Sequence, residues 1–356
     1  MVHVILLMSF LLSCINIKSK KGKSIELLIC FTILFIFAAL RYEYGNDFAA
    51  YHKIFVGAKQ GVNQGGVEEL YYQINRIIPS FQLLIALLSL LYLFVAYKLI
   101  SENVGVGYRV VSVFIFVINP YLFLMSLSSL RQTFALCLFI LALQIKNLKI
   151  VFRLIIYFLI IAVAYFIHQS ALFLLPFFFV FNMKKNSKVD IIVFTVVPIV
   201  ALLAGDLLIG LIEKIIKLFT DNPNYLAYIT NNTPNSLRST LLFMVIYIYV
   251  LMNLHKLEGR SYSYAKLYLV GLLFALLCYK LNMLSRFQMY FDVFGIVALP
   301  SILAVSRKAQ KGSVQYLINA IVFPTIIGLI FVLRYFSFFT NDLWSYFFHY
   351  KTFIFK

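Results

Sequence analysis

Three arginines stand at the ends of apolar runs in a chain of which only 12% of residues are charged. Arg131, followed by Gln132, lies in SLSSLRQTFALCLFILAL, one or two turns into an apolar helix behind a loop of small residues. A guanidinium there faces a helix bundle rather than lipid, and its fork of donors matches phosphate oxygens bidentately, as lysine does not. The plainer reading of Arg131 is a helix-to-helix link to a backbone carbonyl. Arg286 and Tyr290 in NMLSRFQMYFDVF are four apart, so a helix puts cation and phenol on one face, where they could grip one ligand. Tyr290 as an aromatic-belt residue is the alternative. Arg41 opens RYEYGNDFAAYHKIF, which also holds Tyr44; Gly45 permits a tight turn that folds Asp47 and Tyr51 back beside the arginine. Snorkelling of Arg41, or a structural ion pair with Asp47, competes with a binding role. His168 and Gln169 in AYFIHQSALFLLP separate two apolar runs, and an imidazole there suits either an interface contact or proton transfer near neutral pH. Asp47 is the second candidate base. Neither HExxH nor DxD spacing occurs, and all four cysteines fall inside apolar runs without a CxxC partner, so no metal, disulfide or cofactor is expected.

The elements that must position these residues are membrane helices. A chain of 356 residues that is 63% hydrophobic, with mean hydropathy +0.93, is a polytopic membrane protein rather than a soluble domain. Apolar runs predict about twelve spans, near 2–17, 25–40, 81–99, 110–127, 131–145, 151–167, 170–182, 189–209, 240–254, 264–279, 286–305 and 314–333. The first is read as a span because it has no charged n-region and no A-x-A-like cleavage site. Alternate connections such as KSKKGK at 18–23, KNLKIVFR at 146–153 and KKNSK at 184–188 are short and basic, which makes them cytoplasmic. The net charge of +18 is then mainly a topology signal, and no basic domain supports a nucleic-acid partner. The four polar clusters, around Arg41, Arg131, His168 and Arg286, all fall at outer span ends. Two outer connections, 41–80 and 210–239, are long, and the aromatic tail 335–356 reads as an interfacial helix or re-entrant piece on the outer face. The whole of 1–356 reads as one polytopic domain.

Taken together, the motifs carry a resemblance. Arg41, Gly45, Asp47, Phe48 and Tyr51 form R-x-x-x-G-x-D-[FY]-x-x-Y; Leu130, Arg131, Gln132 and Ala135 form L-R-Q-x-x-A. His168, Ser170, Ala171 and Leu172 form H-x-S-A-L, and Ser285, Arg286, Phe287, Tyr290 and Phe291 form S-R-F-x-x-Y-F. In this order, over about 41–291, the chain resembles the EpsG family of Wzy-type polysaccharide polymerases. The resemblance implies an all-α, GT-C-like integral-membrane enzyme of the bacterial cytoplasmic membrane with its site facing the periplasm or exterior. It implies metal-independent transfer of a growing glycan from a polyprenyl-diphosphate carrier to a hydroxyl of the next lipid-linked repeat unit, with polyprenyl diphosphate as leaving group. Partners would be the two lipid-linked glycans, the bilayer and a chain-length regulator. In that frame Arg131, Arg286 and Arg41 are candidates for the diphosphate, His168 or Asp47 for the base, and Gln132, Gln169, Tyr44, Tyr51 and Tyr290 for substrate contacts. Large non-helical outer loops would hold the glycans, with Tyr71, Tyr72 and Trp344 available for stacking.

Three rival functions share parts of this pattern. A glycan ligase would use the same donor and differ only in acceptor. A lipid-linked oligosaccharide flippase or transporter would distribute cations through several depths, whereas the basic residues gather at outer span ends and the mid-span positions are nearly free of charge. An assembly subunit without chemistry would need none of the four clusters.

Overall fold

The computed structural model describes residues 2–15, 25–204, 210, 214 and 236–355. The KSKKGK connection and most of the 210–239 connection lie outside the described residues. The chain divides into two units, residues 1–181 with 331–356 and residues 182–330. Both are built from α-helices, with one two-residue strand pairing among the described residues.

In the first unit, apolar runs become α1 (Val2–Cys14), α2 (Ile25–Leu40), α5 (Phe81–Asn103), α8 (Leu130–Gln144) and α9 (Ile150–Tyr165). Between α2 and α5 lie α3 (Phe48–Lys59) and α4 (Glu69–Ile77). α2 packs against α1 and α5, and α8 packs against α5 and α9. Local signals set the boundaries. Pro79 holds Ile78 extended and ends α4, and the Ser80 hydroxyl accepts the Leu83 N–H at 3.2 Å to start α5. The single span expected over 110–127 is instead α6 (Arg109–Ile118) and α7 (Phe123–Ser128), because Pro120 lacks an N–H and leaves Asn119 extended. The span expected over 170–182 is likewise divided, into a 3₁₀ run at Gln169–Leu174 and α10 (Phe177–Asn182), with Pro176 between them.

The 41–80 connection was expected to be a non-helical platform, and it is not. Phe48, Tyr51 and Phe55 recur at helical spacing along α3, as do Tyr71, Tyr72 and Asn75 along α4. Their apolar side chains form a core with Val67, Phe81, Leu84, Leu130 and Ile167, which clamps the α3–α4 pair to the starts of α5 and α8. Tyr71 and Tyr72 are buried in it rather than displayed for stacking.

The second unit contains α11 (Ser187–Leu203), α12 (Leu237–Leu254), α13 (Gly259–Leu277), α14 (Ser285–Asp292), α15 (Gly295–Ser306) and the start of α16 (Val314–Phe339). The span expected over 286–305 is bent by 60° between Asn282–Asp292 and Gly295–Ser306. Two glycines allow the bent pair to close on α13. A Cβ at Gly271 would lie 2.8 Å from the Phe291 side chain, and one at Gly295 would lie 2.8 Å from the Tyr268 ring.

Among the described residues, three helices are long and apolar enough to cross a bilayer, Phe81–Asn103, Leu237–Leu254 and Val314–Phe339, and the bent pair counts as a fourth if it is one span. Shorter apolar helices of 10–17 residues accompany them among the described residues. Val151, Phe152, Ile155, Leu159 and Val163 line an exposed stripe of α9 that suits lipid and not water. The chain is a multi-pass membrane protein.

α16 continues past the expected end at 333 to Phe339, and the tail, expected as an interfacial helix or re-entrant piece, follows as short segments. A 3₁₀ run at Asp342–Phe347 leads to a strand, Lys351–Thr352, that pairs antiparallel with Arg41–Tyr42.

Candidate functional site

The C-terminal end of α2 passes into a loop whose backbone is left-handed at Glu43, with φ 48°, and at Gly45, with φ 106°. This bend turns the chain so that the Phe48 N–H donates to the Gly45 carbonyl and α3 begins. The tail closes over the bend. The Gly45 N–H donates to the Tyr346 carbonyl, and the Asn46 side chain donates to the Leu343 carbonyl at 2.7 Å. Phe347, wholly buried, packs edge-on against Tyr44.

Arg41 lies beneath this loop with no exposed surface. Its Nη1 donates to the Ala38 carbonyl at 2.8 Å and to the Ser89 hydroxyl at 3.0 Å, and Nη2 donates to the Leu127 carbonyl at 3.2 Å. The guanidinium thus ties α2 to α5 and to the end of α7, and its partners do not include Asp47. Asp47 caps α3 without a side-chain bond to the helix, and its N–H donates to the Ser128 hydroxyl at 3.0 Å. Tyr44 is wholly buried among Phe37, Phe347 and Tyr350.

One turn further along α3, Tyr51 reaches the start of α8, where its phenol oxygen accepts the Arg131 N–H at 3.4 Å. The sequence reading placed Tyr51 beside Arg41, and the helix carries it to Arg131 instead. The Arg131 guanidinium donates from Nη1 to Glu68 Oε2 at 2.6 Å. The other oxygen of that carboxylate, Oε1, accepts the Gln169 N–H at 3.0 Å and lies 3.4 Å from His168 Nδ1. One carboxylate therefore joins the Arg131 and His168 motifs. The three side chains are partly accessible, at 27% for Arg131, 11% for Glu68 and 17% for His168. Gln132 points into the bundle and is buried, whereas Gln169 is exposed.

Glu68 is held there from both sides. Asn63 bonds both the N–H and the carbonyl of Val67, at 3.0 and 2.9 Å, and the Leu70 N–H donates to the Phe166 carbonyl at the end of α9. Burial pushes the Glu68 carboxyl up, but the adjacent His168 ring, the Arg131 charge and the Gln169 N–H outweigh it and hold the group at about 2. It is an anion at any physiological pH.

Sequence reasoning named Arg131 and His168 but not Glu68. The signal was present: an arginine at bilayer depth needs a counter-charge, the chain has 13 acidic residues, and VEEL follows directly on a Gly-Gly turn in the 41–80 connection.

In the second unit, Arg286 is exposed at the start of α14, while Tyr290, one turn on, is wholly buried. The two share a helix as expected but not an accessible surface. Gln288 donates to Asp292 at 2.8 Å on the same helix.

No curated protein and no solved structure matches the chain. A family model does, over residues 24–353, a range that contains every motif described above and the strand that closes the tail over Arg41. The chain belongs to the EpsG family.

Proposed function

We propose that this protein is a membrane glycosyltransferase that polymerises polyprenyl-diphosphate-linked repeat units at the outer leaflet. Family membership supports a polysaccharide-polymerase-like role. The observation that carries the chemistry is the joining of Arg131 and His168 through Glu68, a cation and an imidazole fixed side by side and partly open.

In the reaction the acceptor hydroxyl attacks the anomeric carbon of the growing glycan. A C–O bond forms there, the bond to the phosphate oxygen breaks, and its electron pair leaves with the diphosphate. Arg131 is the anion ligand in this reading, since its side chain stays partly accessible beside Glu68 and a guanidinium stabilises departing phosphate charge without a metal. His168 takes the hydroxyl proton. Asp47, one turn of α3 from Tyr51, is the second candidate for that role. Gln132, Gln169 and Tyr51 flank the pair and are assigned to substrate contact or its support. Arg41 enters as the brace beneath the loop, and Tyr44 as part of that brace. Arg286 is assigned to anion binding on its own helix, with Tyr290 supporting that helix from inside.

Purified protein in liposomes, given only lipid-linked repeat units, is expected to lengthen the glycan and release polyprenyl diphosphate. Absence of both with correctly oriented substrate would overturn the reading, and one transfer to an unrelated acceptor without elongation would mark a ligase.

A further inference from the structure

We propose that Glu68 is a positioning residue for the reaction. Its carboxylate holds His168 as the Nδ1–H tautomer, so that Nε2 is the basic nitrogen, and holds the ring at a fixed distance from the Arg131 guanidinium. The proposal rests on the polymerase reading above and adds a residue and a tautomer to it.

The geometry is specific to one oxygen and one nitrogen. Glu68 Oε1 lies 3.4 Å from His168 Nδ1, and Nδ1 is buried with no aligned hydrogen-bond partner of its own. Among the described groups facing this carboxylate, Arg131 comes from α8, His168 and the Gln169 N–H from the end of α9, and Tyr51 reaches Arg131 from α3. Glu68 is therefore the acceptor placed to receive a proton on Nδ1. In unliganded sites such contacts are commonly long and tighten when substrate enters. With Nδ1 protonated, the lone pair is on Nε2, which takes the acceptor's hydroxyl proton as the glycosidic bond forms. The imidazolium so produced stands beside an anion that stays ionised. The proton passes to water after the diphosphate leaves.

The backbone around Glu68 is arranged for fixed placement. Asn63 closes the turn before it, the α3–α4 core anchors Val67 and Tyr71, and Gln169 is bonded by the same oxygen that faces His168. A residue that served only to neutralise Arg131 would need Oε2 alone. The second oxygen faces the histidine motif, and that contact distinguishes a positioning role from a counter-ion.

Nitrogen-15 NMR of the histidine-labelled full-length protein in lipid, assigned by the loss of one signal in His168→Gln, reads the tautomer directly. The expected result is a protonated Nδ1 in the wild type and a mixed or reversed tautomer in Glu68→Gln. A protonated Nε2 in the wild type overturns the proposal, whatever the variants do. In the elongation assay Glu68→Gln should lose kcat by about 100-fold with KM for the donor little changed. Glu68→Asp should recover part of that loss, and Glu68→Gln should add almost nothing to His168→Gln. A Glu68→Gln effect confined to KM, or fully additive with His168→Gln, would leave Glu68 as a counter-ion and refute the positioning role. If wild-type protein does not elongate at all, the polymerase reading falls, while the NMR result still decides the tautomer.

Discussion

Arg41 and Arg131 are the same residue at comparable places, each at an end of an apolar helix in the first unit, and they are held in opposite ways. Arg41 has no exposed surface and gives its Nη donors to two backbone carbonyls and one hydroxyl. Arg131 is partly accessible, and its guanidinium meets a carboxylate. Carbonyl partners absorb donors without cancelling the charge, so they suit a brace that joins α2, α5 and α7. A carboxylate partner cancels charge in the resting state and can be displaced or shared when a phosphate arrives. An arginine in a motif is therefore not yet a ligand for anything; its partners decide.

The sharpest way to break this comparison is at the brace. Arg41→Ala would leave the Ala38 and Leu127 carbonyls and the Ser89 hydroxyl without their donor and open a cavity beneath the loop, a loss of about 3–5 kcal/mol. The expected outcome is poor yield and a sharply lowered melting midpoint in detergent, measured against wild type. An undiminished midpoint would show that the guanidinium does not carry the joint between α2, α5 and α7.

Next in size is the opposite readout at the second arginine. Arg131→Lys keeps a cation opposite Glu68, so the melting midpoint should stay near that of wild type. Elongation should fall by about 100-fold or more, because an ammonium cannot present the planar fork to a diphosphate. Near-normal chain lengths in this variant would remove Arg131 from the anion-binding role and erase the contrast with Arg41.

Much of the first unit is legible in the sequence because it depends on local pattern. The run 25–40 becomes Ile25–Leu40, and the Gly45 turn has the positive φ that its position demands. The breaks at Pro120 and Pro176 were equally local and could have been read from proline chemistry, yet an unbroken apolar run masked them. The partners of the two arginines were not legible. Glu68 precedes Arg131 by 63 residues, and Ser89 and Leu127 follow Arg41 by 48 and 86. Hydrophobic periodicity places a residue on a face but does not say which distant chain crosses that face. The strand in the tail was hidden for a related reason: an aromatic segment with scattered polar residues fits an interfacial helix or a re-entrant piece as well as a strap, and its pairing with Arg41–Tyr42 lies about 310 residues away in sequence.

A smaller effect tests the bend that separates the two arginines. Gly45 has φ 106°, a conformation that costs an L-residue about 1–2 kcal/mol, and an added Cβ would stand 3.4 Å from the Leu127 carbonyl and 3.7 Å from the Phe347 ring. Gly45→Ala should therefore lower the melting midpoint modestly. It should loosen the tail more than the membrane helices, seen as faster hydrogen exchange at the N–H of Lys351 than at those of α5. Uniform destabilisation across the unit would mean that the bend is part of the global fold and not a local hinge between brace and tail.

The smallest effect is expected at the outermost contact of the brace. Lys351 donates to Glu43 at 2.7 Å, and the neighbouring carboxylate raises the lysine's pKa, yet the pair is widely exposed, at 61% and 49%. Solvent and salt screen such a pair, and holding two long side chains in one geometry opposes what attraction remains. Lys351→Ala should leave the melting midpoint and elongation unchanged within error, although it cuts an ion pair of the strand that covers Arg41. A clear loss would mean that the strap is held by its charges. An unchanged midpoint would mean that it is held by Phe347 under Gly45 and by the strand pairing itself.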